Sequence, residues 1–403
     1  MPVADSSVAA SAPLRLPSES AAPQVSRKWF HAWGPAWLVM IADVDAASIL
    51  TGIESGVAYR YDLVWFLLLL IIPLFFVQEA AGRIGAVTGK GLGELVRETR
   101  SRRASLAIAL PVAAADIASY VAEYAAIGLA FGIFGVPLYL SLPTTFIVHI
   151  ALVARGKYIW VERILLGISA VFIVLVGSAL MVRGILPDTP VYFSANPSFV
   201  FLLAANAGAV VMPFMLFYQS SATAEKVGST VSGVRKETLL GAVVSELLMV
   251  AFLMLGAGMH ANANLFTTSG AAAALASVGG WFLPYAFAVG LIAAAFLALV
   301  VISLGSAWGV VEALGLPRGR AFWVYVGESV PAVIIPFLYP HPLALVLLLM
   351  VALVFILIGP GILVGTLASD QHIMGQQASR GFWKAAYWVC LSSIVFCGVI
   401  ALL

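Results

Sequence analysis

Apolar runs of membrane-crossing length recur from about residue 31 to the end of the chain, separated by short polar connections. Eleven are long enough to span a bilayer as helices: 31–57, 63–87, 105–131, 137–154, 160–182, 198–224, 238–259, 281–308, 322–339, 342–367 and 383–402. Residues 1–27 break the pattern. They are rich in Ser, Ala and Pro and contain no continuous apolar stretch of the kind a signal peptide needs. The pattern predicts a disordered cytosolic tail over 1–27 and a membrane domain over 28–403, all helical.

Two of the runs are interrupted. In the first, Asp43 and Asp45 arrive at mid-membrane depth and are followed at once by Ala46, Ala47 and Ser48. An ionised carboxylate in hydrocarbon is costly and persists where it faces a cavity, a partner or an ion. The spans contain almost no Lys or Arg to neutralise it. Small residues beside the acids let the helix open and turn carbonyls to the same point, which describes a discontinuous helix at an ion site. In the sixth run, Pro213 removes a backbone donor just after Gly208 and Ala209, and Met212 puts a thioether at that break. A proline kink with a packed methionine is the simpler reading of that run alone. Interrupted helices at corresponding positions of two five-helix halves instead point to an inverted-repeat carrier with its site between them.

Charge placement sets the orientation. With the tail in the cytosol, every one of the 21 basic residues except Arg60 and Arg183 falls on the inner side, including Arg97, Arg100, Arg102 and Arg103, Arg155 and Lys157, and Arg318 and Arg320. Moving one span would scramble that bias, so the charges support eleven helices as well as their direction. The localisation expected is a cytoplasmic membrane, multi-pass.

Composition agrees. Hydrophobic residues make up 62% of the 403 and charged residues 10%, more apolar surface than a soluble core uses. Cys390 and Cys397 lie seven apart on one helix and cannot reach each other to form a disulfide. The five scattered histidines show no zinc-type spacing. Gly89, Lys90 and Gly91 lack the spacing of a phosphate loop and read as a cytosolic turn.

Three stretches together resemble the NRAMP family of divalent metal transporters, and its divergent bacterial relatives in particular: the first span followed by VTGKGLGELVRE (87–98), GAVVMPFMLF in the sixth span, and SDQHIMG (369–375). The resemblance runs from about Trp33 to Gly375. It implies a LeuT-like fold, with helices 1–5 and 6–10 as inverted repeats and an eleventh appended. The family's Asp-Pro-Gly-Asn falls on Asp45, Ala46, Ala47 and Ser48, so the metal-binding aspartate is kept and the asparagine ligand becomes a serine. The carbonyl-donating alanine falls on Ala209 and the soft ligand on Met212, both kept. The histidine after Met-Pro becomes Phe214, and the tenth-helix glutamine falls near Met350. The proton-accepting aspartate of helix 3 falls on Tyr120, while the glutamate one turn later is kept as Glu123. The ninth-helix arginines have no counterpart.

The implied metal set is therefore Asp45, Ser48, Ala209 and Met212, with Asp43 as an additional group near the site or on its entry path. A thioether suits manganese, iron, cobalt or cadmium and gives hard magnesium or calcium nothing. Asp116 and Glu123 lie seven apart on one face of helix 3 and offer, with Tyr120 between them, a polar path. Glu246 and Glu328 read equally as hydrogen-bonded packing or as functional groups. The function expected is import of a divalent metal, manganese-like or iron-like, by alternating access. Proton coupling is expected to be weak or absent, because tyrosine, with an unperturbed pKa of about 10, stays protonated at physiological pH. No cofactor beyond the transported ion is expected, and no nucleic-acid partner. Alternatives are an NRAMP-related magnesium transporter, a carrier of the same fold for an amino acid or another cation, and a gated channel. An intramembrane enzyme is not expected, since no Ser-His, Cys-His or His-rich constellation lies among the spans.

Overall fold

A computed structural model describes residues 34–154, 191–339 and 342–403. The expected tail (1–27), the expected fifth span (160–182) and the basic residues Arg155, Lys157 and Arg183 lie outside the described residues. Among the described residues, the other ten expected spans are all helical.

The first span is two helices, α1 (Pro35–Ala42) and α2 (Ala46–Tyr59), bent by 47° at their junction. The second and third are α3 (Val64–Thr88) and α5 (Arg102–Ile133), joined through the short α4 (Leu92–Thr99). The fourth is α6 (Leu138–Ala154). The sixth is again divided, into α7 (Pro197–Val210) and α8 (Pro213–Glu225). The seventh is α9 (Val231–Ala257), and α10 (Thr268–Gly279) intervenes before the eighth, α11 (Phe282–Leu314). The last three are α12 (Ala321–Leu338), α13 (Val346–Ser369) and α14 (Gly381–Ile400).

Local sequence explains several of these boundaries. Proline opens α1, α7 and α8, where its missing N–H costs nothing. Ser101, Asn196 and Thr230 cap α5, α7 and α9, each accepting from a first-turn N–H at 2.9–3.1 Å. Two elements differ from expectation. The stretch after Gly89 is a turn that leads into α4, an amphipathic helix burying Leu92, Leu95 and Val96. The 12-residue α10 is too short to have stood out as a span.

Packing is close where α2 crosses α9. A Cβ on Gly56 would overlap the Leu253 carbonyl, and one on Gly256 would overlap the Ile53 carbonyl, so the two backbones touch in both directions. Outward-facing Leu69, Ile72, Ile147, Leu348 and Val389 remain exposed and form the apolar surface that meets lipid.

Basic groups cluster near helix ends, with one correction to the expectation that the spans hold almost no neutralising cation. Arg83 lies inside α3, is buried, and pairs with Glu79 one turn earlier at 3.0 Å. It also donates to Ser379 Oγ at 2.7 Å and to the Gln377 carbonyl, while Arg235 from α9 reaches Glu79 at 2.8 Å and covers the Trp383 ring. Charge is thus neutralised locally, and this pair ties α3 to α9 and to the start of α14.

Gly56→Ala is expected to lower the thermal transition in detergent, because overpacking a backbone contact costs about 1–3 kcal/mol. Gly327→Ala, where nothing lies within 4 Å of the new methyl, is expected to be neutral or stabilising. A fluorescence-detected thermal melt of both variants checks this; equal shifts would mean that the α2–α9 crossing is looser than described.

Candidate metal site

The first break is built by two acids that cap opposite helix ends. Asp43 is the C-cap of α1, and the chain tightens there, with Val44 N bonding to the Ile41 carbonyl at 3.2 Å. Asp45 then adopts an extended conformation (φ −82°, ψ 179°) as the N-cap of α2, and its Oδ1 accepts from Ser48 N at 2.6 Å.

The second break follows from Pro213. In an uninterrupted helix the Ala209 carbonyl would accept from the N–H four residues on, and that residue is a proline with none to give. Val211 (φ −130°, ψ 88°) and Met212 (φ −82°, ψ 141°) are extended, and the helix restarts at Pro213. The Ala209 carbonyl is left to other partners.

The two breaks meet. Ser48 Oγ donates to the Ala209 carbonyl at 3.4 Å, a long bond that leaves both oxygens available. Glu123 of α5 accepts from Ala46 N at 3.2 Å, satisfying an orphan donor of the first turn of α2, and lies electrostatically against Asp45. Asp45 Oδ2 receives no N–H or hydroxyl among the described residues. Further along, Asn206 Nδ2 donates to Ser55 Oγ at 2.7 Å and holds α7 to α2. Asp45, Ser48, Ala209, Met212 and Phe214 are all buried, and the Met350 carbonyl of α13 sits where a Cβ on Gly208 would be.

The expected metal set therefore comes together in part by direct contact: Asp45, Ser48 and Ala209 converge, Met212 caps the facing helix three residues after Ala209, and Met350 passes beside the break. Asp43 turns instead towards α9, where Ser245 Oγ donates to its Oδ2 at 3.1 Å and Glu246 acts on it electrostatically. Among the described residues no three His, Cys, Asp or Glu side chains converge as a metal site. An ion at the junction would be held by one carboxylate with hydroxyl, carbonyl and thioether groups, a mixed set of hard and soft donors.

The acids of α5 divide. Glu123 belongs to the junction, whereas Asp116 faces Glu328 of α12, whose Oε1 accepts from Ser306 Oγ at 2.9 Å. Between them Tyr120 donates to Ser303 Oγ at 2.8 Å. His149 of α6, which its isolated position in an apolar run did not single out, completes this cluster: Nε2 lies 2.8 Å from Ser303 Oγ and Nδ1 2.8 Å from Tyr124 Oη. Ser303 spends its own proton on the Leu299 carbonyl at 2.6 Å, so it accepts from both Tyr120 and His149. His149 is then the Nε2–H tautomer, accepting from Tyr124. A cavity of about 210 Å³ lined by Ser303, Trp308, Arg318 and Tyr325, among others, reaches this cluster and not the junction at Asp45.

A family model described as natural resistance-associated macrophage protein-like matches residues 36–403. The chain is 28% identical over 239 residues to the divalent metal cation transporter MntH of Bacillus subtilis, covering 56% of this chain and 54% of that protein. It is 28% identical over 259 residues to the metal transporter Nramp6 of Arabidopsis thaliana, covering 61% and 47%. These matches thus span about half the length of the relatives. Among solved structures, a manganese transporter of Eremococcus coleocola superposes with a TM-score of 0.78 at 18% identity, covering 94% of this chain and 88% of that one. MhsT, solved with L-phenylalanine, superposes with a TM-score of 0.61 at 15% identity, covering 91% and 97%. The fold is LeuT-like, with broken first and sixth helices and an appended last helix.

Pro213→Ala is expected to close the second break, since it restores the N–H that the Ala209 carbonyl lacks. Hydrogen exchange followed by mass spectrometry should then show slower exchange over residues 211–215. Unchanged exchange would mean that tertiary contacts, and not the proline, hold the break open.

Proposed function

The chain belongs to the natural resistance-associated macrophage protein-like family, and from that premise we propose that it carries a divalent transition-metal ion, manganese or iron in class, across the cytoplasmic membrane by alternating access. The observation that carries this reading is the junction of the two helix breaks. There Ser48 links the two breaks, its N–H to Asp45 Oδ1 and its hydroxyl to the Ala209 carbonyl, Asp45 Oδ2 is buried without a partner among the described residues, and Met212 caps the opposing helix. The names of the relatives, divalent metal cation transporter and manganese transporter, support the same substrate class.

Each donor contributes different chemistry. Asp45 supplies a carboxylate, which the N-terminus of α2 favours and orients through Ser48 N. Ser48 and Ala209 supply neutral oxygens. Met212 supplies a sulfur that a transition metal accepts and a hard ion does not. The burial of all four requires that one half of the molecule move against the other for an ion to enter or leave, as alternating access demands. The N-terminus is cytosolic, and inward movement follows the membrane potential, which favours a doubly charged ion by about 4.6 kcal/mol per 100 mV.

Coupling to protons is weak or absent. At the position where the family resemblance puts a proton-accepting aspartate, Tyr120 donates to Ser303, and Phe214 is packed where a histidine would stand.

Calorimetric titration of purified protein tests the ligand assignment. Asp45→Ala is expected to abolish manganese binding with an unchanged elution profile. Met212→Ala is expected to keep most of the manganese affinity but to lose discrimination against magnesium and calcium. Full manganese affinity in Asp45→Ala would remove Asp45 from the site, and unaltered competition by magnesium in Met212→Ala would mean that the thioether is not the filter.

Coupling is tested in proteoliposomes loaded with a pH-sensitive dye, with valinomycin present and a manganese gradient imposed. The internal pH is expected to stay constant during manganese uptake. Acidification that grows with flux and disappears in Glu123→Gln would replace the uncoupled reading with a proton symport.

A further inference from the structure

Asp43 and Asp45 flank one break, and the helix ends act on them in opposite ways. Asp45 caps an N-terminus, where the positive end of the helix dipole and the Ser48 N–H both favour its charge. Asp43 caps the C-terminus of α1, the end at which the helix dipole carries partial negative charge. Its other neighbours add to that charge, since Glu246 and Asp45 both act on it electrostatically.

Only one donor offsets this. Ser245 Oγ reaches Asp43 Oδ2 at 3.1 Å. Asp43 Oδ1 and both carboxyl oxygens of Glu246 are buried and receive no hydrogen bond among the described residues. The ion pairs found among the described residues involve Glu79, Glu98, Glu225, Glu237 and Glu312, not Asp43 or Glu246. Three buried, unpartnered carboxyl oxygens thus lie on Asp43 and on the Glu246 that directly follows its hydroxyl partner Ser245, where α1 packs on α9.

We propose that Asp43, Ser245 and Glu246, with the carbonyl end of α1, form a second cation site that holds a hard ion beside the junction built on Asp45. The donors are all oxygens, without the sulfur that the junction offers, so the chemistry selects an ion of the sodium or calcium kind over a soft transition metal. Such an ion neutralises charge that no side chain among the described ion pairs neutralises. It also bridges α1 to α9, which are already pressed together where Gly241 meets the Met40 side chain. Its position next to Asp45 makes its occupancy a control on the affinity of the junction, by relieving the negative potential that the transported ion feels. The second site does not depend on which ion Asp45 takes.

Equilibrium dialysis of the purified protein against radiolabelled sodium and, separately, radiolabelled calcium, in alkaline buffer, tests the proposal. The parent is expected to bind one of the two saturably, and the two arms identify which. Binding should persist in Asp45→Ala, fall by about tenfold or more in Glu246→Gln, and recover in Glu246→Asp. Asp43→Asn is expected to show the same loss and stands in should Glu246→Gln not elute as a single species. Absence of saturable binding of either ion to the parent would overturn the proposal. So would binding that is lost in Asp45→Ala but kept in Glu246→Gln, since that ion would sit at the junction. Manganese titration of Glu246→Gln separates the two sites: retained manganese binding with lost sodium or calcium binding fits two sites, and equal loss of both fits one.

Discussion

A peptide group inside a membrane has no water to bond to, so each N–H and C=O must find a partner in the protein. Among the described residues, two spans divide into separate helices at mid-span, after Ala42 and after Val210. There the helical ladder stops at mid-span, and the groups it leaves free become the functional surface. Ala209 is the clearest case, since its carbonyl lacks a helical donor because residue 213 is proline. The side chains around it, Ser48, Asp45 and Glu123, are those that satisfy or exploit the freed groups of α2 and α7.

Bringing two such breaks together requires helices that approach closer than side chains allow. Glycines permit that approach, with Gly56 and Gly256 at the crossing of α2 with α9, and Gly208 against the Met350 carbonyl one residue before Ala209. Without them the Ala209 carbonyl and the Ser48 hydroxyl would stand apart, and neither break would have a partner. The buried ion-pair network of Arg83 with Glu79 and Arg235 ties α3 to α9 without contributing to either break.

The acids are not equivalent, and the difference is geometric. An N-cap carboxylate such as Asp45 is supported by its own helix, whereas a C-cap carboxylate such as Asp43 is opposed by it. Two residues of sequence separation thus turn the acids to different faces, one towards α5 and α7 and the other towards α9. Beyond Glu123 the polar character of α5 continues into the Tyr120, His149 and Ser303 cluster, whose hydrogen bonds assign each proton to one atom. A cluster with fixed donors and acceptors orders the helices that carry it and transfers a proton only by breaking one of those bonds.

Ten spans and both breaks were readable from the chain alone, while the choice of Asp45, Ser48, Ala209 and Met212 as ligands came from the family resemblance. Hydrocarbon imposes apolar runs of set length, and any acid, proline or cluster of small residues inside such a run stands out against them. The buried Arg83 was not readable, because its partner Glu79 one turn away makes it look like an ordinary helix-end cation. Nor was His149, a single histidine in an apolar helix, since its partners Tyr124 and Ser303 are distant in sequence. The meeting of Asp43 with Ser245 and Glu246 likewise depended on how α1 lies across α9, over a separation of 202 residues. Sequence determined where the helices stop and which groups they release; which released groups face one another was decided by tertiary packing, because glycine contacts and helix crossings are set between segments and leave no periodic trace within either one.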